Sequence, residues 1–146
     1  MSKTRKMAKR KNNFMENKHK HLEFIQTVIN RMAGNSFLLK GWAITLVAAL
    51  FALSAKDTNT NYFLIAYFPV IIFWILNGYF LSQERLFRDL YNHVRKLEES
   101  KIDFSMDIKT FKTNQNSWFY SIFSKTLLIF YLSLIIVMLI TMYLIK

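Results

Sequence analysis

The side chains that could do chemistry are few and scattered. The three histidines are His19, His21 and His93. His19 and His21 stand two residues apart, a spacing that puts them on different faces of a helix, and His93 is isolated. The chain has no cysteine, which excludes disulfides, thiol nucleophiles and thiolate metal sites. Gly34, Gly41 and Gly78 stand singly, so no glycine-rich phosphate loop forms. No carboxylate falls inside the long apolar runs, which leaves a proton relay or a charge-coupled transporter without a carrier. These absences predict a non-enzyme that holds no metal or cofactor. What remains is polar rather than reactive. Asn77 is an amide in an otherwise apolar run, and Glu84, Arg85, Arg88 and Asp89 follow just beyond it. Asn77 predicts either a hydrogen bond between neighbouring helices or a polar ring in an oligomeric pore. Glu84–Arg88 and Arg85–Asp89 are opposite-charge pairs at i, i+4. They lie on a helix that can couple a cytoplasmic event to the membrane.

The elements that position these residues are three apolar runs, 37–55, 62–81 and 118–145. At ~1.5 Å rise per residue, about 20 helical residues cross a hydrocarbon core of roughly 30 Å. The expected fold is an all-α membrane protein. It has three transmembrane helices, with amphipathic cytoplasmic helices before the first and after the second. Net charge is +11, and its placement is one-sided. Ten Lys and Arg precede or open the first run, and seven more, from Arg85 to Lys112, lie between the second and third. Lys125 opens the third run, and only Lys56 and Lys146 fall on the opposite side. An excess of cations on cytoplasmic segments predicts an integral membrane protein with its N-terminus in the cytoplasm and its C-terminus outside. The first run reads as an uncleaved anchor, because the segment before it is far longer than a usual signal-peptide n-region.

Residues 1–13 read as a basic disordered tail, either a topology determinant or a binder of anionic headgroups at about 1 kcal/mol per cation. Residues 14–33 read as an amphipathic helix with Leu22, Ile25, Ile29 and Met32 on one stripe, widened by Phe24 and Val28. Gly34-Asn35-Ser36 is expected to break it. In the first span Thr45, Ala48, Ala52 and Ala55 share a face that is expected to pack against another helix, because small residues let backbones approach closely in lipid. A short polar hairpin, 56–61, makes the first two spans antiparallel neighbours. Pro69 removes a backbone donor and is expected to kink the second span. That span is expected to continue as a cytoplasmic helix to about residue 98, with Phe87, Leu90, Tyr91, Val94 and Leu97 as its apolar stripe. Residues 100–117 read as a cytoplasmic connector. Within it, Ile102, Phe104, Met106 and Ile108 alternate with polar residues, the pattern of an extended strand. That pattern suits an ordered loop packed on the helices, or an edge that pairs with a partner.

Two blocks, Asn35–Trp42 and Gln83–Tyr91, together with Asp103–Asp107 and Ser124–Leu127, resemble a family of small multi-span bacterial membrane proteins. The resemblance covers most of residues 22–145. The plan is also similar to that of transmembrane effectors in bacterial antiphage systems, which implies self-association and breach of the inner membrane. No nucleotide-sensing domain accompanies it. The function expected from the whole is that of a small self-associating protein of the bacterial inner membrane, a pore-forming or membrane-disrupting effector of antiphage defence; the alternative is a non-conducting membrane anchor or scaffold subunit for a cytoplasmic partner. The implied partners are lipids, further copies of the chain and a cytoplasmic protein, with no specific nucleic acid.

Overall fold

The computed structural model describes residues 2–57 and 61–145. The expected turn across 58–60 lies outside them. Among the described residues there are four α-helices: α1 (Ser2–Asp57), α2 (Asn61–Lys96), α3 (Trp118–Ile122) and α4 (Lys125–Ile145). Short 3-10 turns at Glu99–Lys101 and Lys109–Phe111 punctuate the connector between α2 and α3. Three helices, α1, α2 and α4, are long and apolar enough to cross a membrane. α2 is central, touching α1, α3 and α4.

α1 corrects two expectations. It is helical from Ser2, where a disordered tail was expected, and it runs unbroken through Gly34-Asn35-Ser36. Packing against α2 explains the continuity. Ile25, Ile29, Ser36, Leu39, Ala43 and Val47 are buried at intervals of three, four or seven residues along one side of α1. This seam crosses the glycine without losing register, and most helical stability in proteins comes from such tertiary packing. The local preference against Gly, about 1 kcal/mol, is small beside the burial of a seam that long. At 56 residues, α1 is about 84 Å long, far more than one bilayer crossing needs.

Two separate apolar cores follow. One joins the spans through Ala43, Val47, Ala66, Val70, Leu127, Tyr131 and Met138. The other, Ile25, Ile29, Leu90, Val94 and Ile102, joins the first half of α1 to the last turns of α2. This second layer is a stem in which the two helices run antiparallel. Its apolar stripe on α2 is the expected one. On α1, Phe24 is instead 65% exposed and does not join the core. Lys18 fixes the far end of the stem: its Nζ donates to the carbonyls of Leu97 at 2.6 Å and Arg95 at 3.2 Å. A cation there satisfies carbonyls that a helix C-terminus leaves without intrahelical partners.

No strand occurs among the described residues, so the alternation over 102–109 has a different cause. Ser105 N–H donates to Asp103 Oδ1 at 3.0 Å, Asp107 N–H to Ser105 Oγ at 3.1 Å, and Lys109 N–H to Asp107 Oδ1 at 2.9 Å. Each polar side chain thus takes the amide two residues on, the local bonding that Asp and Ser offer in place of a strand ladder. Ile102 and Ile108 pack on the stem core, while Phe104 and Met106 stay exposed.

The third apolar run is not one helix. α3 ends at Ile122 and α4 begins at Lys125. Trp74 Nε1 donates to the Ile122 carbonyl at 2.9 Å, so α2 takes an acceptor at the point where α3 stops. Ser124 N–H returns to the Ser121 carbonyl at 3.1 Å, and Leu128 N–H takes the Ser124 carbonyl at 2.9 Å, restarting the helix.

Candidate functional site

Asn77 is fully buried between α2 and α4. Its Nδ2 donates to Tyr131 Oη at 2.6 Å. Trp74 stacks on the Tyr131 ring, with centroids 5.5 Å apart and planes 9° from parallel. The amide therefore faces the inside of the protomer, and a polar ring lined by Asn77 would require this pair to part. Asn77 Oδ1 and the Tyr67 hydroxyl are buried without a hydrogen-bond partner. Near the same helices Lys40 Nζ lies 5.8 Å from the centre of the Phe130 ring, within cation–π range.

The pairing predicts a clear double-mutant pattern. Asn77→Leu leaves the Tyr131 hydroxyl alone, and Tyr131→Phe leaves the whole amide alone. Each single change is expected to destabilise by about 0.6–1.7 kcal/mol, the range of hydrogen bonds between membrane helices. The double variant removes both partners and is expected to melt close to the parent, because apolar replacement of both ends leaves no orphan. Thermal melting of the three purified variants in detergent checks this. Additive losses would mean that the two groups do not depend on each other.

The small-residue face points outward. Thr45, Ala48 and Ala52 are exposed, and α1 packs with Leu39, Ala43, Val47 and Ser54 instead. Thr45 Oγ1 donates to its own helix at the Gly41 carbonyl, 3.0 Å away. The Ala55 side chain lies outside the described residues.

The charged group beyond Asn77 is a junction. Glu84 and Arg88 form the expected ion pair at 2.7 Å. The expected Arg85–Asp89 pair is replaced by three longer-range hydrogen bonds. Arg85 Nη1 donates to the Gln115 carbonyl at 3.0 Å and to Ser121 Oγ at 3.3 Å. Asp89 Oδ2 accepts from Asn116 Nδ2 at 2.9 Å. Asn116 is the hub. Its Nδ2 also donates to the Phe111 carbonyl, its Oδ1 accepts from Thr113 N–H, and its carbonyl accepts from Ser82 Oγ. Ser117 caps α3, accepting from Tyr120 N–H at 3.3 Å, and Asn116 ties the connector to α2. The signal was present in α2, where Ser82, Arg85 and Asp89 stand at i, i+3 and i+7, a polar stripe on one helical face.

The histidines form no site. His21 is buried, its ring centroid 5.6 Å from that of Phe104 in an edge-to-face arrangement, and the His93 and Phe111 ring centroids lie 5.5 Å apart. No group of metal-ligating side chains occurs among the described residues. Comparisons with family models, with curated proteins and with solved structures find no match.

Proposed function

We propose that this chain is a non-conducting anchor of the bacterial inner membrane whose helical stem docks a cytoplasmic protein. The observation that carries the reading is the continuity of α1 and α2 from the apolar spans into a stem with its own core. A partner held on such a stem is held at a fixed height and angle, because no flexible linker intervenes. The junction at Arg85 and Asn116 braces the stem against the base of α3. Orientation follows from the cations, which cluster before Phe37 and between residues 82 and 117, as expected of cytoplasmic segments. Burial of Asn77 against Tyr131 favours the anchor over a conducting pore, since the amide is already bonded within one protomer.

One observation favours the second reading, a self-associating effector that breaches the membrane in antiphage defence. Gly41, Thr45, Ala48 and Ala52 line an outward face of α1, the surface by which a second copy could approach closely.

Photo-crosslinking in cells separates the two. Crosslinkers at the exposed stem residues Asn92 and Glu98 are expected to capture a protein other than this chain. Those at Ile71 and Ile136 of the spans are expected to capture none. Potassium retention on induction is expected to be normal. Self-adducts alone, with potassium leak abolished by Ala48→Leu and Ala52→Leu, would overturn the anchor and establish the effector.

A further inference from the structure

Lys18 marks the level at which α2 ends, since its Nζ reaches the carbonyls of Arg95 and Leu97. α1 runs on past that level to Ser2. Six of the nine residues from Lys3 to Lys11 are Lys or Arg, and no acidic residue precedes Glu16. Arg5, Lys9 and Arg10 are exposed, as are Arg95 and Lys96 at the end of α2. Three carboxylates stand nearby, and two of them are already paired: Glu16 with Lys20 at 2.6 Å and Glu98 with Lys101 at 3.0 Å. Glu98, Glu99 and Ser100 border the tip on one side, beside Met7, Arg10 and Phe14. The bilayer does not account for these cations. Topology is set by cations within about 15–20 residues of a span, and Lys11 stands 26 residues before Phe37. α1 is unbroken between them, so Lys11 and Lys3 lie about 39 and 51 Å along the axis from the start of the apolar run. Attraction to headgroups falls off within a Debye length, about 8 Å in physiological salt.

We propose that the tip of α1 binds the phosphate backbone of duplex DNA without sequence preference; this goes beyond the docking reading above and shares only its orientation. Charge density selects a polyanion. Composition argues against a protein as the occupant. Protein interfaces are built on aromatic and apolar anchors and are depleted in Lys, whereas residues 2–13 hold no aromatic residue and one large apolar one, Met7. The rest of the segment is Ser, Thr, Ala and Asn, and hydroxyl and amide side chains join Lys and Arg at phosphates. The missing aromatics also remove the platform on which single strands stack, which selects a duplex. The 12 residues 2–13 are helical throughout and form a rod about 18 Å long. The major groove of B-DNA, about 12 Å wide, admits such a helix. Lys9 and Arg10, about 100° apart around the axis, then face different walls of the groove.

The test uses the full chain in nanodiscs of neutral lipid, with labelled short DNA duplexes of two unrelated sequences, a single strand and polyglutamate as probes. Fluorescence anisotropy is expected to show the two duplexes binding alike and at least tenfold more tightly than either of the other probes. The logarithm of the duplex binding constant is expected to fall with the logarithm of salt concentration at a slope of roughly −5, the value for six phosphate contacts. Arg5→Gln with Lys9→Gln and Arg10→Gln is expected to weaken duplex binding at least tenfold and to halve the slope. Its melting temperature is expected to stay at the parental value, since all three side chains are exposed. A charge-matched variant near the membrane, Arg31→Gln with Lys109→Gln and Lys112→Gln, is expected to bind as the parent does. Equal weakening by the two triple variants would make the net charge, not the tip, the cause and would overturn the proposal. Polyglutamate binding as tightly as the duplex would also overturn it and make an acidic protein the occupant. Loss of duplex binding on changing to anionic lipid would overturn it by placing the cations on headgroups. None of these outcomes bears on whether the stem captures a protein in cells, so the docking reading stands or falls separately.

Discussion

Gly78→Val is expected to detach α3 from α2 and to produce the largest loss of thermal stability among single changes in the spans. A Cβ at this position would meet the Ile122 side chain and come within 3.1 Å of both Ile122 N and Ile122 Cα. A side chain could rotate away, but a backbone cannot, so α3 must shift as a unit. Three hydrogen bonds shift with it: Trp74 Nε1 to the Ile122 carbonyl, Trp118 Nε1 to the Ile75 carbonyl, and Arg85 Nη1 to Ser121 Oγ. Overpacking costs about 1–3 kcal/mol, and each neutral hydrogen bond lost adds roughly 0.5–1.5 kcal/mol. Gly78→Ala meets the same backbone with a smaller group and should fall between the parent and Gly78→Val. By contrast, Gly34 and Gly41 have open space where a Cβ would stand, so alanine at either is expected to be tolerated. Melting in detergent, followed by tryptophan fluorescence that reports Trp74 and Trp118, tests the order. Gly78→Val melting with the parent would mean that α2 and α3 do not touch at this point.

How far the sequence could be read depended on how local the cause was. Hydropathy located the three long apolar helices because burial in lipid is a property of composition. The stripe on α2 from Phe87 to Leu97 was legible because one face of one helix carries it, and so was the polarity of Asn77. Its partner was not, because Tyr131 is 54 residues away and several aromatic residues of the third run could have served. The continuity of α1 across Gly34 was misread for a similar reason. Local propensity argued for a break, and a seam contributed by α2 outweighed it. The stop at Ile122 has no local signal at all, since it depends on an indole from another helix. The small-residue face is a different case. Thr45, Ala48 and Ala52 allow a close approach, but spacing alone does not say whether the approaching helix belongs to the same chain. Here the larger neighbours Leu39 and Val47 take the intrachain side. The alternation over 102–109 was legible as an ordered loop packed on the helices, since Ile102 and Ile108 supply its inward contacts, although strands and chains of Asx-type turns share a period of two residues.

The two cores predict a second large and spatially confined effect. Ile25→Ala is expected to loosen the stem while the spans stay intact. Ile25 is fully buried and packs with Ile29, Leu90, Val94 and Ile102. Removing that much of a buried Ile costs about 2–5 kcal/mol, depending on how well the site collapses. Five buried residues make up this core, so the loss is a large share of what holds the stem together. None of the five belongs to the core of the spans, and nine residues of α1, 30–38, separate Ile29 from the buried Leu39. Limited proteolysis in nanodiscs should therefore cut the connector 98–117 many times faster in Ile25→Ala than in the parent. Melting of the spans should not change. Phe24→Gln, one residue away but exposed, should be cut at the parental rate, which separates loss of packing from any general effect of substitution in α1. Faster cleavage accompanied by early melting of the spans would mean that the two layers fold as one unit, and the stem would then be a brace for the bundle rather than a platform held above it.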